Sequence, residues 1–142
     1  MRSFEESVVV RATPEAIFAL YADVAGWPAW DPEVRAASLD GPFAAGSTGS
    51  LTPTKGPRAR ITVVGVAPGR SFDVESRLPL CTMRFEHVLE PRGAETLVTH
   101  RVVFRGPLTF VFARVVGRSI RAGLPGTLAG LRAAGERVVA AA

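Results

Sequence analysis

Cysteine is almost missing from this chain: of its 142 residues only Cys81 carries a thiol. A single thiol excludes an intrachain disulfide framework and any cysteine-rich metal centre. With no histidine, helix start or cation clearly placed to activate it, Cys81 reads as a small hydrophobe. Lysine is equally scarce. Lys55 is the only one, so the formal net charge of +4 rests on arginines spread over the whole chain. A nucleic-acid binder more often gathers its basic residues on one face with aromatics between them, and no RNP, zinc-finger or paired-helix signature occurs. No specific nucleic-acid partner is therefore expected. No run approaches the roughly 18 apolar residues of a membrane span, since Leu108 to Val116 stops at Gly117-Arg118, so no membrane insertion is expected. Met1-Arg2-Ser3 running into Glu5-Glu6 lacks the apolar centre of a signal peptide, which makes the cytoplasm the expected location. A glycine-rich phosphate loop, HExxH, GxSxG and internal repeats are also absent, and no cofactor is expected.

What is present is an ordinary globular composition, 47% hydrophobic and 21% charged, long enough for one domain spanning residues 1–142. The last quarter organises it. Leu108, Phe112, Val116, Ile120, Leu124 and Leu128 recur every four residues and predict a long amphipathic helix from about Leu108 to about Val139. At about 1.5 Å per residue it would run roughly 45 to 50 Å, longer than a small domain is wide. An interruption or a kink of more than about 20° is expected at Pro125, whose ring removes an N–H and clashes with the carbonyl of Arg121, with Gly123 and Gly126 beside it. Arg114, Arg118 and Arg121 are spaced to share a polar side of this helix, read as a solvated face or as a contact for an anionic partner or an acidic ligand tail.

Before the helix the chain reads as strands. Ser7 to Arg11 opens it, and Thr13-Pro14-Glu15 then starts a short helix: a hydroxyl to accept an orphan N–H, a proline suited to the first turn, an acid near the positive dipole end. Ile17, Phe18, Leu20 and Tyr21 supply its buried side. Two prolines between Asp23 and Pro32 predict a turn or broken second helix, with Trp27 and Trp30 as packing anchors. Strands follow at Val34 to Leu39, Gly46 to Leu51, Arg60 to Val66, Ser71 to Leu78, Cys81 to Glu90 and Glu95 to Phe104. The pattern is α+β with an antiparallel sheet. One helix is about 10 Å wide and cannot cover so many strands laid flat, so the sheet must curl and can enclose an apolar pocket.

Alternation decides which residues face that pocket. Phe72, Met83, Phe85, Val98, Val102 and Phe104 fall on inward faces, with Phe112, Val116 and Ile120 above them on the helix. His87 and His100 fall on the same inward faces, as core histidines satisfied by hydrogen bonds or as groups that orient a ligand. A metal site is not expected, because two histidines without a carboxylate on their face fall short of three protein ligands. Asp73, Glu75, Glu86 and Glu90 face the other way. No catalytic residue is assigned.

The spread Thr13-Pro14-Glu15…Phe18…Leu20-Tyr21…Trp27-Pro28…Trp30-Asp31-Pro32-Glu33-Val34 resembles the opening of the START-like (SRPBCC) superfamily, often labelled polyketide cyclase/dehydrase. Phe85…His87…Leu89-Glu90-Pro91…Gly93…Thr96…Val98-Thr99-His100 and Leu124-Pro125-Gly126-Thr127-Leu128…Leu131 fit as well. The resemblance covers almost the whole chain. It implies a helix-grip fold: a curved antiparallel sheet of about seven strands around a long C-terminal helix, with two short helices after the first strand. It also implies a container for a small hydrophobic or aromatic molecule, or an enzyme of the cyclase or dehydratase kind in which a cavity histidine moves a proton. Whether the chain forms a homodimer is left open.

Overall fold

The computed structural model describes residues 1–141. Strand β1 (Arg2–Val10) is followed by helix α1 (Pro14–Ala22) and a 3₁₀ turn (Val24–Ala29). Strands β2 (Val34–Leu39), β3 (Thr48–Pro53), β4 (Ala59–Ala67), β5 (Ser71–Leu78), β6 (Cys81–Arg92) and β7 (Glu95–Arg105) then form a meander. Helices α2 (Thr109–Val115) and α3 (Gly117–Ala141) close the chain. The seven strands make one antiparallel sheet in the order β1-β7-β6-β5-β4-β3-β2. Irregularities at Val34/Ala36 and Val63/Gly65 add local twist that helps the sheet curve. This is the α+β helix-grip architecture. β1 begins at Arg2, five residues before the expected start; Glu6 in its inward set Phe4, Glu6, Val8 and Val10 breaks the apolar alternation by which a strand is read.

α1 starts as its sequence predicts. The Thr13 hydroxyl accepts from the Ala16 N–H at 3.2 Å, with Pro14 in the first turn, and the helix buries Ile17 and Tyr21. The carboxylates Asp73, Glu75 and Glu86 lie on the convex face, gathered around Arg84 at 2.8, 3.6 and 3.7 Å.

The terminal helix is not interrupted at Pro125. α3 runs continuously through Pro125, and the break lies at Val116, between α2 and α3. Gly117 sits there against the Phe104 ring, 3.2 Å from where a Cβ would stand, so the two helices meet where the chain packs closely on β7. The missing N–H at Pro125 is tolerated because this part of α3 is clamped from outside. Thr127 Oγ1 donates to Asp31 Oδ1 at 2.8 Å, and the loop 30–33 lies so close that any Cβ on Gly130 would overlap the Trp30 carbonyl. Asp31 also accepts from the Glu33 N–H at 2.9 Å; burial raises its pKa, and these hydrogen bonds oppose that shift. Packing supplies what propensity withholds.

Two side-chain clusters fill the concave side. The larger joins Val10, Ile17, Tyr21, Phe72, Val98, Leu128 and Leu131; the smaller joins Cys81, Met83, Val102 and Phe104 with Phe112, Val116 and Ile120.

Candidate functional site

Strand register lines up one row across the concave face. Phe72 on β5 stands opposite His87 on β6, His87 opposite His100 on β7, and His100 opposite Glu6 on β1. From above, α1 lowers Tyr21 onto this row, and its hydroxyl lies 2.8 Å from His100 Nε2. His87 stacks flat on Phe72, ring centroids 3.9 Å apart and planes within 6°, and meets His100 edge-on at 4.6 Å. The Phe43 and Trp27 rings lie 5.1 and 6.1 Å from the Phe72 ring, while Trp27 Nε1 donates to the Tyr21 carbonyl at 3.0 Å and ties down the end of α1.

The protonation states follow from these contacts. His87 Nδ1 lies 3.0 Å from the Phe72 carbonyl, which can only accept, so Nδ1 carries the proton and Nε2 presents a lone pair. Burial lowers the His87 pKa to about 4, against smaller opposing effects from that carbonyl bond and the Asp73 charge. Burial, with His87 adding to it, holds His100 well below the ordinary histidine value. Burial also keeps Tyr21 a phenol, its pKa well above the usual one. At neutral pH the three groups are an uncharged phenol and two uncharged imidazoles.

Nine of the eleven residues expected to line a pocket divide between the clusters, and His87 and His100 stand outside both. Phe72 and Val98 belong to the larger; Met83, Val102 and Phe104, with Phe112, Val116 and Ile120, belong to the smaller. Phe85 touches both. His100 is buried, whereas Phe85 and His87 are half-buried although they face inward from a central strand. Buried Met83 and Leu89 flank them on the same face of β6, so solvent reaches the sheet at the seam between the clusters. Glu6 is exposed at the edge of this seam, and the Arg121 guanidinium lies 5.8 Å from the Phe4 ring, two residues from Glu6. Two depressions lie elsewhere and include none of the eleven. One, about 470 Å³, is at the β5–β6 turn; the other, about 390 Å³, lies between Leu20 and Trp30 on one side and Ala134 and Val138 on the other. Among the described residues no group of three His, Cys, Asp or Glu side chains could hold a metal ion.

Tyr21 and Glu6 are the members of this site that sequence reasoning did not assign. Tyr21 reads as one apolar position of α1, and nothing local ties it to a histidine 79 residues away. For Glu6 the signal was the period-two spacing of Phe4, Glu6, Val8 and Val10, which places a carboxylate on the face of both histidines.

Comparison with known proteins supplies the family. The family model for polyketide cyclase / dehydrase and lipid transport matches residues 1–136. A search of curated proteins by sequence finds no match. Among solved structures, the di-domain ARO/CYC StfQ from the steffimycin biosynthetic pathway superposes with a TM-score of 0.78 at 15% identity, over 97% of this chain and 51% of StfQ. This chain thus spans about half of that di-domain protein. TTHA0849 from Thermus thermophilus matches with a TM-score of 0.74 at 17% identity, over 99% of each chain. Truncated norcoclaurine synthase from Thalictrum flavum gives 0.71 at 13% identity, over 92% of this chain and 91% of the other. At these identities the likeness shows a shared fold.

Proposed function

The chain belongs to the polyketide cyclase / dehydrase and lipid transport family, and from that premise we propose that it binds a small apolar or aromatic molecule at the seam beside Tyr21, His87 and His100. The observation that carries this reading is the uncommitted lone pair on His87 Nε2, held beside half-buried apolar side chains on a concave face. A packed core does not require two imidazoles at its centre, and each costs desolvation free energy. In a binding site they give direction. Phe72 and Phe85 offer ring faces, and His87 Nε2 accepts a hydrogen bond from a ligand hydroxyl or phenol. Met83, Val98, Val102 and Phe104 form the floor around that point, and Phe112, Val116 and Ile120 the wall on the helical side.

The alternative is a cyclase or dehydratase acting through His87 or His100 as acid and base. General-base catalysis works best when the pKa lies near the working pH. A His87 pKa of about 4 makes its imidazole a weak base at neutral pH, which favours binding over proton transfer.

Native mass spectrometry of protein purified without denaturation tests the proposal, together with imidazole ¹⁵N spectra recorded during titration with 2-naphthol. A co-purifying molecule, or a naphthol-induced shift of His87 Nε2, is the expected result. Phe85→Trp, which fills the seam, should abolish it. His87→Ala should weaken binding by roughly 1 to 3 kcal/mol if the bond is desolvated in the complex. No adduct in the spectrometer and an unmoved His87 resonance at saturating naphthol would overturn the proposal.

A further inference from the structure

One end of the molecule combines apolar and basic side chains in a way the seam does not use. Five of the large apolar side chains exposed on the described surface come together there: Met1, Leu80, Phe110, Val111 and Val115. Pairing and hydrogen bonding place them together. The start of β1 lies against the end of β7, with Arg2 opposite Phe104. The Leu108 N–H donates to the Leu80 carbonyl at 3.1 Å, which joins the β5–β6 turn to the start of α2. Phe110 and Leu80 are about two-thirds exposed, at 64% and 66%. Leu80 is also the one non-glycine residue with positive φ, +53°, among the described residues, so a large apolar side chain stands in water on a conformation that disfavours it.

The charges around these tips have one sign. From Thr96 to Gly135 the sequence contains six arginines and no aspartate or glutamate. Arg114 and Arg118 are exposed beside Val111 and Val115. On the convex side of the same end, Arg77 and Arg105 flank Thr82 in register and line the open depression of about 470 Å³ with Leu80 and Pro107. The carboxylate in that depression, Glu75, is engaged by Arg84 at 3.6 Å.

We propose that this end docks on the surface of an anionic phospholipid bilayer, with Leu80, Phe110, Val111 and Val115 entering the interface and Arg77, Arg105, Arg114 and Arg118 meeting lipid phosphates. Protruding apolar tips ringed by guanidinium groups match the two layers of such a surface, hydrocarbon below and phosphate above. A soluble polyanion would engage the arginines but leave the tips in water. No helix among the described residues is long and apolar enough to cross a membrane, so the contact is with one leaflet. This proposal does not depend on the ligand site at the seam.

Flotation with vesicles of phosphatidylcholine containing about one third phosphatidylglycerol, against pure phosphatidylcholine, tests it. Wild-type protein should float with the anionic vesicles at least about tenfold more, and less as salt rises. Phe110→Ser with Leu80→Asn, and separately Arg114→Gln with Arg118→Gln, should each reduce flotation about tenfold while leaving the melting temperature within a few degrees. In Phe110→Trp, the added indole fluorescence should be quenched by brominated acyl chains, a gain of signal that needs no loss of binding. Equal flotation with both vesicle types, no flotation at low salt, or an unquenched indole would each overturn the proposal. So would loss on arginine substitution with none on Phe110→Ser/Leu80→Asn, which would mark a surface for soluble polyanions.

Discussion

Acid should destabilise this protein through its two interior histidines, and the size of the effect can be worked out from their surroundings. An unfolded chain titrates each histidine near 6.5, whereas burial depresses His87 to about 4 in the folded state and His100 well below its usual value. Between those limits the unfolded state binds protons that the folded state refuses, so stability rises with pH across the window and falls as pH drops from 6.5 toward 4. At about 1.4 kcal/mol per pH unit for each proton, lowering pH from about 7 to about 5 costs roughly 2 kcal/mol through His87, and His100 adds a loss of the same sign. A domain of this size is stable by only about 5 to 15 kcal/mol, so the loss is readily measured. Asp31 acts in the opposite direction, because its raised pKa gives stability at low pH that is lost as pH rises through it. Variants separate the contributions. In His87→Gln the amide can still donate to the Phe72 carbonyl but cannot titrate, and His100→Gln removes the other proton site. Urea unfolding followed by tryptophan fluorescence should show wild type losing stability between pH 7 and pH 5, each variant losing less, and the double variant little. A wild-type midpoint that does not change with pH, or an equal pH response in all four proteins, would refute the assignment of two neutral imidazoles on the concave face.

Two further substitutions test the contacts between α3 and the loop over it. Gly130→Ala should destabilise by about 2 kcal/mol or more even though alanine favours helix, because the new methyl meets the Trp30 carbonyl; a raised melting temperature would show that the loop can retreat. Thr127→Val removes the buried hydroxyl that donates to Asp31 and should cost about 1 to 3 kcal/mol at neutral pH, less once Asp31 is protonated; equal losses at pH 7 and pH 4 in denaturant titrations would contradict an ionised acceptor.

Sequence alone determined the parts of this protein that local patterns encode. Alternation from Ser71 to Phe104 assigns the two faces of three central strands, because side chains on a strand point to opposite sides with a period of two. Thr13-Pro14-Glu15 marks the start of α1, since capping chemistry acts within one turn. The resemblance read from Thr13 to Leu131 pointed to the family that the match over residues 1–136 establishes. Only the tertiary structure decided the rest, since it depends on segments far apart in the chain. The Tyr21–His100 hydrogen bond needs α1 lowered onto β7, and Glu6 reaches the histidine row only through the β1–β7 register. The path of the terminal helix was decided in the same way: propensity predicts a break at Pro125, but Thr127 and Gly130 hold that segment against the loop 30–33, and the chain divides at Gly117 where it meets Phe104. Leu80 and Phe110 look unrelated in sequence, yet one backbone hydrogen bond between Leu108 and Leu80 joins them in one surface.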